Sequence, residues 1–175
     1  MTNRSLSRYL RAMLFQAPET PNTPPQTQET LPLAVNLTAK PPQTILLVDD
    51  DTDFPLLVTR AIKLLKPRPL LHYVPSAFQA QDYLVGRHVF GDRSAYPLPD
   101  LILLDLKMPI LNGFQFLEWV RAKPEFKKLS IFVLTDSINP RDLTRAYQLG
   151  ANSFLVKPSD VDELIGPLKT LLGLP

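Results

Sequence analysis

Five short apolar runs, at residues 45–48, about 70–74, 101–104, 131–134 and 153–156, recur between Thr44 and Pro175, each followed by polar or turn residues. Their apolar positions are continuous rather than spaced by three or four, which predicts short strands buried on both faces. The intervening stretches carry helical spacing instead. Leu56, Leu57, Ile62, Leu64 and Leu65 predict a first helix that ends before Pro67, with Thr52 or Asp53 as its cap and Pro55 accommodated in its first turn. A second helix is expected at about 77–85, and a longer polar loop at 86–100. Phe114, Phe116, Leu117 and Val120 mark a third helix stopped by Pro124, and Pro140 opens a fourth that ends at Leu149 with Gly150 as its C-terminal glycine. Asp160 can cap the last helix, whose stripe is Val161, Leu164, Ile165, Leu168, Leu171 and Leu172. Five strand–helix alternations predict a doubly wound α/β fold, a parallel sheet with helices on both faces.

The first 43 residues follow a different pattern. Leu6, Tyr9, Leu10, Met13 and Leu14 share one helical face and Arg4, Arg8 and Arg11 the other, so 3–16 forms an amphipathic helix on paper. An isolated helix of that length is marginal in water, and a tail or a helix resting on the domain is expected ahead of partner docking or membrane contact. Seven prolines among Thr, Gln and Asn at 18–42 read as an extended linker. The expected organisation is therefore residues 1–43 as an appendage and 44–175 as one domain.

Composition narrows the functional classes. Hydrophobic residues make up 45% and charged residues 21% of the 175, within the ordinary globular range. The absence of cysteine removes disulfides, thiolate metal sites and cysteine nucleophiles together, and fits a reducing, cytoplasmic setting. His72 and His88 are too few and too scattered for a histidine-rich zinc site. No apolar run approaches the roughly 18 residues of a membrane span. The net charge of +2 comes from residues 1–44, with four basic and two acidic groups; the remainder carries fifteen of each. A folded part without basic excess argues against direct nucleic-acid binding.

The chemistry-bearing residues sit where the runs end. Asp49 and Asp50 follow the first strand, Asp105 the third, Thr135 the fourth and Lys157 the fifth. In a parallel sheet all these carboxyl ends share one rim, where ligands collect. Carboxylates crowded there repel by about 4 kcal/mol per pair at 4 Å and an effective dielectric near 20. A hard divalent cation relieves that repulsion, and oxygen-only ligands point to Mg2+ or Mn2+. Such a metal can also hold a phosphoryl group, which the facing carboxylate attacks while Lys157 and the Thr135 hydroxyl stabilise its oxygens. Taken singly, these residues are more readily a helix cap, a surface lysine and a loop threonine. Their joint order at four strand ends is what indicates phosphoryl transfer onto a protein carboxylate.

Val48-Asp49-Asp50-Asp51, Asp105-Leu-Lys-Met-Pro109 with Gly113, Leu134-Thr135, Gly150-Ala151 and Val156-Lys157-Pro158 resemble the receiver domain of two-component response regulators, over about residues 44–173. The resemblance implies a flavodoxin-like (βα)5 sheet in strand order 2-1-3-4-5. It implies Asp105 as phosphoacceptor, Asp50 as a direct Mg2+ ligand, Asp49 as a ligand largely through water and the Lys107 backbone carbonyl as a further ligand. Thr135 and Phe154 match the switch pair. The implied partners are a sensor histidine kinase, hybrid kinase or phosphotransfer protein, and a downstream protein reading the face of helix four, strand five and helix five, with homodimerisation open. No enzymatic activity is implied beyond Mg2+-dependent self-phosphorylation and self-dephosphorylation. With so little chain outside the domain, the expected output is another molecule rather than an attached effector. The loop at 86–99 with Tyr96-Pro-Leu-Pro-Asp100, and the segment 150–157, resemble stand-alone receivers serving phytochrome-type and hybrid kinases in bacteria. Asp136 departs from the family's small residue, a feature compatible with a receiver-like interaction module that works without phosphorylation. Phe154 lacks the phenol hydroxyl often found there. A haloacid-dehalogenase-type phosphohydrolase is disfavoured, because it wants an aspartate where this chain has Lys107.

Overall fold

The computed structural model describes residues 44–136 and 139–174, so the expectations for 1–43 lie outside the described residues. Strands β1 (Thr44–Val48), β2 (Leu70–Val74), β3 (Leu101–Asp105), β4 (Ser130–Thr135) and β5 (Ser153–Val156) alternate with helices α1 (Phe54–Leu64), α2 (Ala77–Val85), α3 (Gly113–Arg121), α4 (Pro140–Gln148) and α5 (Val161–Leu172). The strands are parallel, as the alternating pattern predicts, in the order β2-β1-β3-β4-β5 that the resemblance implies.

The period of two along a strand sorts the core onto two faces. Leu46, Val48, Ile102 and Leu104 pack with Ala80, Leu84, Phe116 and Val120 of α2 and α3. Ile45, Leu47, Leu101 and Leu103 pack with Val58, Ala61, Leu164 and Leu168 of α1 and α5. Burial of each such Leu, Ile, Val or Phe side chain contributes about 1.5–3 kcal/mol, so β1 and β3, buried at every position, anchor the molecule. Asp100 closes the start of the central pair: its N–H donates to the Thr44 carbonyl at 2.9 Å and its carboxylate accepts from the Thr44 N–H at 2.9 Å.

Three local expectations change. Asp53 holds the N-cap position of α1, but with helical dihedrals and no capping side-chain bond: the side-chain acceptor is Asp51, whose Oδ1 accepts from the N–H groups of Asp53 (2.6 Å) and Phe54 (3.2 Å). The buried face of α1 is Phe54, Val58, Ala61 and Ile62, whereas Leu56 and Leu64 are each 60% exposed. Val58 and Ala61, which stand outside the leucine pattern, carry part of the contact. Lastly, the loop at 86–100 is more than polar surface. It contains a 3-10 turn at His88–Gly91, and Phe90 and Tyr96 pack edge-on at 5.2 Å beside Tyr83. Arg93 ties it to α2 through the carbonyls of Tyr83 and Leu84 at 2.8 and 2.7 Å.

The remaining caps follow sequence chemistry. Asp160 accepts from Glu163 N–H at 2.8 Å, and Asn112 forms a reciprocal capping box with Gln115 at the start of α3. Gly150 has φ of +92°, the left-handed value that ends α4.

Candidate functional site

Register decides which strand ends meet. Val48 pairs with Leu104, so the next residues, Asp49 and Asp105, leave the sheet side by side. Asp105 pairs with Leu134, and Thr135 with Val156, which brings Thr135 and Lys157 to the same rim. Carboxylate oxygens of Asp49, Asp50 and Asp105 lie within 4.8 Å of one another. Asp49 is fully buried, Asp105 and Thr135 are nearly so, and Asp50 is exposed.

Lys157 holds the centre of this group. Its Nζ lies 3.0 Å from Asp105 Oδ1, donates to Asp49 Oδ1 at 3.1 Å and lies 2.9 Å from Asp49 Oδ2. The Oδ2 contact is an ion pair without hydrogen-bond alignment, so this buried oxygen has no hydrogen-bond partner. The Phe54 ring forms the wall beneath, 5.1 Å from Nζ. Asp105 Oδ2 accepts the Lys107 N–H at 2.7 Å, and Asp49 Oδ1 accepts the Asp51 N–H at 3.0 Å.

Burial pushes the Asp105 carboxyl above the usual range, and the Asp136 charge adds to this; Lys157 and the Lys107 N–H oppose it. Burial likewise raises Asp49, with Asp105 adding and the Lys157 and Asp51 bonds opposing. Burial alone lowers Lys157, but Asp49 and Asp105 outweigh it, and its ammonium is held above the ordinary value. Asp51, by contrast, is held low by the N–H groups it caps.

The donor set fits a hard divalent cation. One ammonium faces three carboxylates, every candidate ligand is an oxygen, and the buried Asp49 Oδ2 still lacks a directed donor. The position of Gly113 is equally dictated: a Cβ there would stand 2.3 Å from the Asp105 carbonyl oxygen, so a side chain cannot fit behind the strand end.

All the residues singled out at the strand ends gather here except Phe154. That ring is half-buried within β5, against the α4 side of the sheet, and packs edge-on to Tyr147 at 6.2 Å. His72 and His88 lie away from the site: His72 packs on Tyr83 and Tyr96, and His88 faces Asp82 at 3.7 Å. Phe54, Tyr73 and the capping role of Asp51 were not read from sequence. The run of three aspartates was a signal for Asp51, but Phe54 and Tyr73 look like ordinary apolar positions until the fold places them at the rim.

An α/β fold with a lysine-bridged aspartate cluster at the carboxyl ends of its strands defines the class. The family model for the response regulator receiver domain matches residues 45–169, and the chain belongs to that family. It is 34% identical over 128 residues to the probable methanogenesis regulatory protein FilR2 of Methanothrix harundinacea, covering 73% of this chain and 80% of FilR2. It is 31% identical over 126 residues to response regulator Rcp1 of Synechocystis, covering 72% of this chain and 84% of Rcp1. Among solved structures, RPA3017, a response regulator in red light signaling of R. palustris, superposes with a TM-score of 0.69 at 30% identity, over 73% of this chain and 90% of that one. The Mn2+-bound form of Rcp1 gives 0.65 at 28% identity, over 74% and 91%. Among the described residues no helix is long and apolar enough to cross a membrane.

Proposed function

We propose that this chain is a phosphorylation-controlled receiver in which Asp105 accepts a phosphoryl group from the phosphohistidine of a sensor kinase, hybrid kinase or phosphotransfer protein. The observation that carries the reading is the Lys157 ammonium within 3.0 Å of Asp105 and 2.9 Å of Asp49 at adjoining buried strand ends. A carboxylate oxygen of Asp105 attacks phosphorus as the phosphorus–nitrogen bond breaks, and the imidazole leaves with its electron pair. Lys157 is already beside Asp105 and pairs with a phosphoryl oxygen once the aspartyl phosphate exists. The Thr135 hydroxyl donates to another. Asp49, Asp50, Asp105 and the Lys107 carbonyl would hold Mg2+ or Mn2+, which would supply charge neutralisation of the phosphoryl oxygens.

Signalling then follows from a shifted population. Movement of Thr135 toward the phosphoryl group draws the half-buried Phe154 ring inward, and a protein partner reads the face of α4, β5 and α5, where Tyr147 and Val156 are exposed. Without a phenol hydroxyl, the ring acts by burial alone. Residues 1–43 serve as an appendage to the receiver at 44–175.

Treatment with acetyl phosphate or beryllofluoride and Mg2+, followed by intact-mass and NMR measurement, tests the reading. One adduct is expected on the wild type, none in EDTA and none on Asp105→Asn. An unmodified wild type, or the same adduct on Asp105→Asn, overturns it. One observation favours a second reading, a receiver that binds partners without phosphorylation: Asp136 places a further negative charge close enough to act on Asp105.

A further inference from the structure

The edge strand β2 reaches the acidic loop from the side. Its last residue, Val74, accepts the Asp49 N–H at 3.3 Å, and one residue earlier the Tyr73 hydroxyl donates to the Asp51 carbonyl at 3.3 Å. Asp51 is the junction of the loop. Its N–H goes to Asp49 Oδ1, its Oδ1 accepts from Asp53 and Phe54, and its carbonyl is taken by Tyr73. Asp50, the exposed member of the cluster, is thus strung between two pinned residues. Like charges at Asp49, Asp50 and Asp105 favour splaying of this loop, and a donor on the Asp51 carbonyl resists it.

We propose that Tyr73 is a positioning residue for the divalent cation: its hydroxyl, through the Asp51 carbonyl, holds the loop in the geometry in which Asp49 and Asp50 both face Asp105. The ring is 42% exposed, so its packing alone gives little reason for its place. A phenol is already protonated, and so a donor, at neutral pH; partial burial, then the charges of Asp49, Asp50 and Asp51, raise it further. The inference rests on the reading of the cluster as a cation site.

Calorimetric titration of Mg2+ into the wild type and Tyr73→Phe, with thermal midpoints taken in EDTA, tests it. Phenylalanine keeps the ring and removes only the hydroxyl. Loss of one solvent-accessible hydrogen bond raises the dissociation constant about 2–5-fold, with the EDTA midpoint unchanged. Equal dissociation constants overturn the role of Tyr73 and leave the cation site standing. A lowered midpoint at unchanged affinity also overturns it, because the hydroxyl then serves stability alone. A wild type that binds no Mg2+ overturns the site reading and the Tyr73 inference together.

Discussion

Asp136 adds a negative charge at an exposed position that acts on the buried Asp105, and with Asp105 as the proposed phosphoacceptor an anionic phosphodonor would meet that charge. A screened surface charge acts at about 0.2–1 kcal/mol, which sets the scale of its effect on the barrier. Asp136→Ala is expected to speed phosphorylation by acetyl phosphate about 1.5–5-fold, measured as the initial rate of adduct formation. An equal or slower rate removes Asp136 as an obstacle. His72 offers a separate test, away from the cluster. Its ring sits 5.5 Å from Tyr83 and 5.6 Å from Tyr96, its Nε2 is buried with no hydrogen-bond partner, and burial holds its pKa below the usual value. A lowered histidine pKa means that the unfolded chain binds the proton more tightly, so this contribution is present at high pH and is lost as pH falls through the unfolded value near 6.5. His72→Phe is therefore expected to lose less stability than the wild type between about pH 7.5 and about pH 5.5, by urea unfolding. Parallel losses in the two proteins refute it.

At the scale of elements, the start of α1 separates a sequence preference from a physical cap. Asp51 satisfies two N–H groups of the helix start and Asp53 satisfies none with its side chain. Asp51→Ala should cost about 1 kcal/mol and Asp53→Ala only a few tenths, by chemical denaturation in EDTA. Equal costs would falsify the assignment. The same loop shows how far the chain could be read before folding. Asp49, Asp105, Thr135 and Lys157 were legible because each ends an apolar run, and a parallel sheet gathers such ends whatever its detailed register. The five strands and helices were legible for the same reason of period. Which aspartate caps α1 was not, because the choice turns on whether Asp53 takes helical dihedrals. Nor was the buried face of α1, since leucine at an exposed position looks the same in sequence as leucine in the core. Tyr73 and Phe54 depend on contacts across 22 and about 100 residues of chain, and neither local pattern nor composition encodes them.

For the whole molecule, the cluster sets function against stability. Burial holds both Asp49 and Asp105 above the ordinary carboxyl range, which means that keeping them ionised in the fold costs free energy that Lys157 only partly offsets. Replacing Asp105 by an isosteric amide removes one of those charges and keeps its volume. In EDTA, Asp105→Asn is therefore expected to melt higher than the wild type, by about 2–6 °C for each kcal/mol of relief in a domain of this size. Cation binding reverses the order. A ligand that binds only the folded state stabilises by RT ln(1 + [L]/Kd), about 2.7 kcal/mol at a hundred times Kd. The wild type should gain that increment with saturating Mg2+, and Asp105→Asn, with one carboxylate fewer, should gain much less. Thermal melts of both proteins across a Mg2+ series check this. The two curves cross if the carboxylates are held together for a cation, and run parallel if Lys157 alone is the counter-ion the fold requires.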